Sequence, residues 1–165
     1  MDRFESIRPY TDQEAREALQ RMAKDSHIDN ILSYVMPGAD SSQFRDLLCS
    51  LSGVYDFQMK VMYGVVRSII EKTTDGVSYE GVEELKKGKT HVIVSNHRDI
   101  VLDPAILQKI LADNDVHTTQ ICVGDNLISS QFIEDICRTN GMVKVVRGGT
   151  PREKFFNSAL LSEYL

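Results

Sequence analysis

The stretch that most restricts what this chain can become is residues 90–104, Thr-His-Val-Ile-Val-Ser-Asn-His-Arg-Asp-Ile-Val-Leu-Asp-Pro. β-Branched Val92, Ile93 and Val94 follow a Gly-Lys-Thr turn signal and give way at once to Ser95 and Asn96, which predicts a short buried strand over 91–94. Such a strand delivers His97 to its C-terminal end. Asp103 then precedes Pro104 and a helical pattern of Ala105, Ile106, Leu107, Ile110 and Leu111, so it is expected at the helix N-cap with Pro104 at the first helical position. One imidazole and two carboxylates, Asp99 and Asp103, therefore share a loop between a strand and a helix. In open α/β sheets ligands bind at the carboxyl ends of the strands.

Upstream of this stretch the periodicity is helical. Thr11-Asp-Gln-Glu14 has the form of a capping box, and Ala15, Leu19 and Met22 then recur at helical spacing, predicting a helix to about Lys24. Ile28, Ile31, Leu32 and Val35 predict a second helix ended by Pro37-Gly38, and Phe44, Leu47, Leu48 and Leu51 a third, interrupted near Ser52-Gly53. A fourth helix carries Val54, Phe57, Val61, Val65 and Ile69 on one stripe, with Tyr55, Met62, Val66 and Ile70 beside it. This broad apolar face reads as core packing. Lys60 and Arg67 alone make a poor basic face for a helix lying on a membrane.

From about residue 74 the period changes. Val77–Val82 alternates like a strand, Glu83–Leu85 leads into a Lys/Gly turn, and the His97 strand follows. Beyond the helix of Pro104, residues 118–123 read as a strand, Leu127, Phe132, Ile133 and Ile136 as a helix, and 142–146 as another strand. This alternation predicts an α/β domain over 74–165, a mainly parallel sheet with covering helices, after a helical region over 1–73. The last strand runs through Arg147 and Gly148-Gly149 into Thr150-Pro-Arg-Glu153, which fits an N-cap, a first helical proline and a capping-box acid. Free backbone N–H groups there, with Arg147, Gly148 and the nearby Lys144, Arg152 and Lys154, form a candidate anion site.

Asn96-His97, preceded by an apolar strand and followed by an aspartate, resembles the signature of the glycerolipid acyltransferases, the superfamily of the glycerol-3-phosphate and lysophosphatidic acid acyltransferases. Asn140-Gly-Met-Val-Lys-Val-Val-Arg147 resembles that family's second block, a glycine-started strand closing in an arginine that contacts the acceptor phosphate. Val77–Leu85, with Gly81 and Glu83, is similar to the Gly-x-Glu-x-Leu lead-in before the histidine strand. The resemblance covers roughly residues 76–165. Where the family places four residues between histidine and aspartate, this chain has five, and Leu102 occupies the expected aspartate position. Either the loop carries one extra residue and Asp103 still meets the imidazole, or Asp99 takes that role. The family's later Glu-Gly block would fall beyond Leu165, so the chain is expected to be an N-terminal piece of a longer enzyme, with little activity of its own, or a remnant that has lost activity.

The resemblance implies direct acyl transfer from acyl-CoA or acyl-carrier protein to a hydroxyl of a glycerophosphate-type acceptor, as in phospholipid biosynthesis. His97 would be the general base, Asp103 or Asp99 its partner, and Arg147, Asn96, Arg98, Gly148 and Lys144 the substrate-binding residues. The residue types suit the chemistry. A hydroxyl attacks a thioester usefully only when a base takes its proton, and a carboxylate on the other ring nitrogen stabilises the imidazolium. Two other classes fit the same residues: a phosphohydrolase in which the His-Asp pair activates water, and a non-catalytic module that binds a phosphorylated ligand.

Composition narrows the field further. A net charge of −5 and no basic run longer than Lys86-Lys87 argue against a nucleic-acid partner. The three cysteines, Cys49, Cys122 and Cys137, are far apart and form no Cys-x-x-Cys, so they read as reduced thiols. No histidine pair has metal-ligand spacing, so neither metal nor resident cofactor is expected. The charged start Met1-Asp-Arg-Phe-Glu and the lack of an apolar run near roughly 18 residues predict a soluble or peripheral protein, placed in the cytoplasm or on the inner face of the membrane.

Overall fold

A computed structural model of the chain describes residues 2–85 and 90–165. Its elements gather into two compact units, one of residues 1–62 with 120–165, the other of residues 63–119.

The first unit opens with α1 (Asp12–Lys24), set by the capping box predicted from Thr11 and Glu14: each satisfies the other's backbone donor, and the Arg8 guanidinium holds the Glu14 carboxylate from outside. Then come α2 (His27–Val35), α3 (Ser41–Ser50), whose N-cap Asp40 accepts from the Ser42 and Gln43 N–H groups, and the single turn α4 (Val54–Phe57). Gly53, just before α4, is required by proximity. A β-carbon there would fall 2.0 Å from Asp12 Oδ1, the oxygen that accepts the Val54 N–H. The core of the unit lies between α1, α3 and a later helix, α8 (Gln131–Thr139): Leu19, Met22, Ile28, Leu48, Leu51, Phe57, Val61 and Phe132 are buried together.

The sheet of this unit has two parallel strands, β1 (Ile121–Gly124) and β2 (Met142–Val145), with Gly124 opposite Val145 and α8 as the crossover between them. A 3₁₀ turn, Asp125–Leu127, follows β1, and α9 (Pro151–Tyr164) follows β2 behind a second capping box, Thr150 with Glu153. The N-terminal segment reaches the strand as well, since the Lys144 N–H donates to the Ile7 carbonyl at 2.8 Å.

The second unit holds α5 (Tyr63–Thr73), the short α6 (Val82–Leu85) and α7 (Leu102–Asp113), with α5 packed on α7 and Leu111 buried. The Tyr63 hydroxyl donates to Asp113 at 2.6 Å, and Gln108 exchanges two hydrogen bonds with Thr119, one to its hydroxyl and one from its N–H.

Several expectations change. Residues 91–94 and 77–81 form no strand: they belong to no ladder, and Val92 and Val94 are more than four-fifths exposed. Apolar, β-branched residues supply the tendency, but a strand exists only where a second backbone accepts its hydrogen bonds. The helix after residue 127 begins at Gln131, because Asp125–Leu127 turns as 3₁₀ and Ser130 caps the helix proper. The apolar stripe of the fourth predicted helix also shifts. Phe57 and Val61 are buried as expected, then Val66 and Ile70, not Val65 and Ile69. A wide π turn over Gln58–Met62 inserts one residue into the helical period, so the count of buried positions is offset by one beyond it. The Lys/Gly turn expected at 86–89 lies outside the described residues. Among the described residues, no helix is long and apolar enough to cross a membrane.

Candidate active site

The residues singled out in the sequence fall into two groups, one in each unit. In the second unit the chain from Ser95 to Val101 runs exposed into α7. His97 lies here, its ring about two-thirds exposed, with Nδ1 3.9 Å from Asp103 Oδ2. That is ion-pair range, longer than a hydrogen bond.

The capping part predicted for Asp103 falls to Asp99. Helix α7 starts at Leu102, so Asp103 and Pro104 sit inside its first turn, where the missing proline N–H costs nothing. Asp99 does the capping: its Oδ1 accepts the Val101 and Leu102 N–H groups at 2.8 and 2.7 Å. Asp103 turns back and accepts the Arg98 and Asp99 N–H groups on Oδ2 at 2.6 and 3.0 Å, the oxygen that also faces the imidazole. These N–H groups, Asp99's foremost and Arg98's next, hold the Asp103 carboxyl below its ordinary 3.8. Asp99 is lowered too, by the Leu102 and Val101 N–H groups. The loop is thus a knot of two carboxylates on four backbone donors, with His97 on its outer side. Asn96 and the Arg98 side chain are exposed beside it.

The other group lies at the carboxyl end of the two-stranded sheet in the first unit. Arg147 is two residues past the end of β2, and its N–H donates to Asp125 Oδ1 at 3.1 Å, joining the end of β2 to the turn after β1. Its side chain lies against Gly124, the last residue of β1, and a pocket of about 480 Å³ opens there between Asp125, Asn126, Arg147 and Gly148. Lys144 does not line this pocket, and its ammonium pairs with Glu134 on α8 at 2.9 Å. Arg152 is placed over the Phe156 ring of its own helix.

Gly124, Asp125 and Asn126 are neighbours of Arg147 that the sequence did not single out. A Gly-Asp-Asn turn directly after a predicted strand was the signal available for them. Among the described residues no group of three or more His, Cys, Asp or Glu side chains is placed to hold a metal ion.

The arrangement supplies an exposed imidazole backed by an ionised carboxylate, and a guanidinium at a strand end beside an open pocket. A family model described as Acyltransferase matches residues 76–162, more than half of the chain, and spans both groups. No curated protein and no solved structure matches the chain. With the histidine loop and the arginine strand both inside the matched stretch, the chain belongs to the acyltransferase family.

Proposed function

We propose that the protein transfers a fatty acyl group from an acyl thioester, acyl-CoA or acyl-carrier protein, to a hydroxyl of a glycerophosphate-type acceptor. The observation that carries this reading is the His97–Asp103 pair, in which the carboxylate oxygen facing the imidazole is fixed and kept ionised by the Asp99 and Arg98 N–H groups. In the reaction, His97 takes the proton of the acceptor hydroxyl as its oxygen attacks the thioester carbonyl carbon. The imidazolium that forms is stabilised by Asp103. The tetrahedral centre collapses, the C–S bond breaks, and the thiolate leaves with the proton returned by His97. No bond to the enzyme is formed. The 3.9 Å separation closes to a hydrogen bond as the imidazole charges, in the way that such contacts tighten once substrate is bound.

Arg147 holds the acceptor phosphate in this reading. A guanidinium meets a phosphate with two parallel hydrogen bonds, and a residue beyond a strand end lies where ligands of parallel sheets bind. The setting would be the cytoplasmic face of a membrane, where lysophospholipid acceptors reside.

The test is release of free thiol from acyl-CoA with glycerol 3-phosphate or lysophosphatidic acid as acceptor. His97→Ala is expected to lower kcat by about 10²- to 10⁴-fold with little change in acceptor KM, since the base acts only as the proton moves. An unchanged kcat would remove His97 from the chemistry.

A further inference from the structure

We propose that Gly124 and Asp125 are positioning residues for Arg147: the bare surface of Gly124 seats the guanidinium, and Asp125 fixes the backbone from which it extends. This deepens the function proposed above and rests on Arg147 as the phosphate contact.

Gly124 has φ −67° and ψ 137°, an extended conformation open to any residue, so the backbone does not demand glycine there. Space does. A β-carbon at 124 would lie 3.1 Å from Arg147 Nε, 3.3 Å from its Cζ and 2.5 Å from Asn126 Oδ1. The guanidinium is therefore laid on peptide backbone, in the place a side chain would occupy. Asp125 acts on the other end of the same residue, its Oδ1 accepting the Arg147 N–H at 3.1 Å. Two successive residues, the last of β1 and the first of the turn after it, thus meet the start and the guanidinium end of the exposed Arg147 side chain. The pocket beside them is lined by that turn, Arg147 and Gly148. A long side chain otherwise carries large rotamer entropy, and holding it in place before the ligand arrives lowers the cost of binding.

Two measurements on the same variants test this. The first needs no ligand: the Nε–H resonance of Arg147, identified by its loss in Arg147→Ala, should move in Gly124→Val and, by less, in Gly124→Ala. It should move in Asp125→Ala and stay in Asp125→Asn, whose amide oxygen still accepts the N–H. An unmoved resonance in Gly124→Val and Asp125→Ala overturns the positioning role. The second is the affinity for glycerol 3-phosphate by calorimetry. Arg147→Ala and Gly124→Val should each weaken binding by about tenfold or more, and the double variant no further. A double variant weaker than Arg147→Ala alone overturns the proposal, since Gly124 would then act by another route. Equal affinity of the wild type and Arg147→Ala overturns the phosphate reading instead, and the resonance still decides whether the turn positions the arginine. The Asp125 pair keeps both readouts informative if valine at the strand end disturbs the sheet.

Discussion

At the scale of single residues, the loop separates two kinds of aspartate that look alike in sequence, Asp99 and Asp103. Both carboxylates bind two backbone N–H groups, but only Asp103 Oδ2 is placed in ion-pair range of the imidazole. Their substitutions should therefore differ. Asp99→Ala removes a cap, which should be read as faster hydrogen exchange at the Val101 and Leu102 amides. Asp103→Ala removes the partner of the base and should lower kcat about a hundredfold in the thiol-release assay. If Asp99→Ala lowered kcat more than Asp103→Ala, the partner of His97 would be Asp99. The sequence left this choice open because spacing alone does not say which way a loop folds back.

At the scale of elements, the helices were legible and the strands only in part. The capping boxes of α1 and α9 are local, each contained within four residues, and both form as read. The first has a measurable acid signature. The Arg8 guanidinium, helped by the backbone N–H and hydroxyl of Thr11, draws Glu14 from its ordinary 4.5 down to about 2. A carboxyl lowered on folding contributes stability above its unfolded value and loses it as pH falls through the folded one. Unit stability should therefore drop between about pH 4.5 and 2, and Glu14→Gln should flatten that part of the curve in urea titrations. An equal slope in the variant would assign the acid loss to other carboxylates. The strands depend on partners far away: β1 and β2 find each other, whereas residues 91–94 carry the right side chains and pair with nothing among the described residues. The π turn at Gln58–Met62 is a third case, since an inserted residue shifts the buried stripe without leaving a mark in composition.

At the scale of the molecule, the first unit joins chain segments more than a hundred residues apart, and one buried carboxylate does much of the joining. Asp135 on α8, 1% exposed, accepts from Arg21 Nε and Nη2 at 2.9 and 2.7 Å, from the Tyr10 hydroxyl at 3.0 Å and from Gln131 at 2.9 Å. Next to it the Arg138 guanidinium stacks on the Tyr10 ring and donates to the Arg8 and Glu5 carbonyls. Burying a carboxylate is costly unless its partners are in place, and removing one side leaves the other unpaired. Because the Arg21 side chain left behind is about half exposed to water, Asp135→Ala should destabilise the protein by about 1–3 kcal/mol, seen as a lower denaturant midpoint with α1 and α8 exchanging faster. A loss below about 1 kcal/mol would mean that apolar packing around Phe132 holds α1 to α8 without it.

By itself the sequence determined what is decided within a few residues: the caps of α1 and α9, the helical periods before the π turn, the chain breaks at Pro37-Gly38 and Ser52-Gly53, and the three motif stretches that carry the resemblance to the acyltransferases. Tertiary structure decided everything that needs a partner from elsewhere in the chain. It set which apolar runs become strands, which aspartate faces His97, and that Lys144 is spent on Glu134. It alone brought the Arg147 side chain against Gly124, because that contact depends on how two strand ends lie side by side, and the backbone angles of Gly124 carry no trace of it.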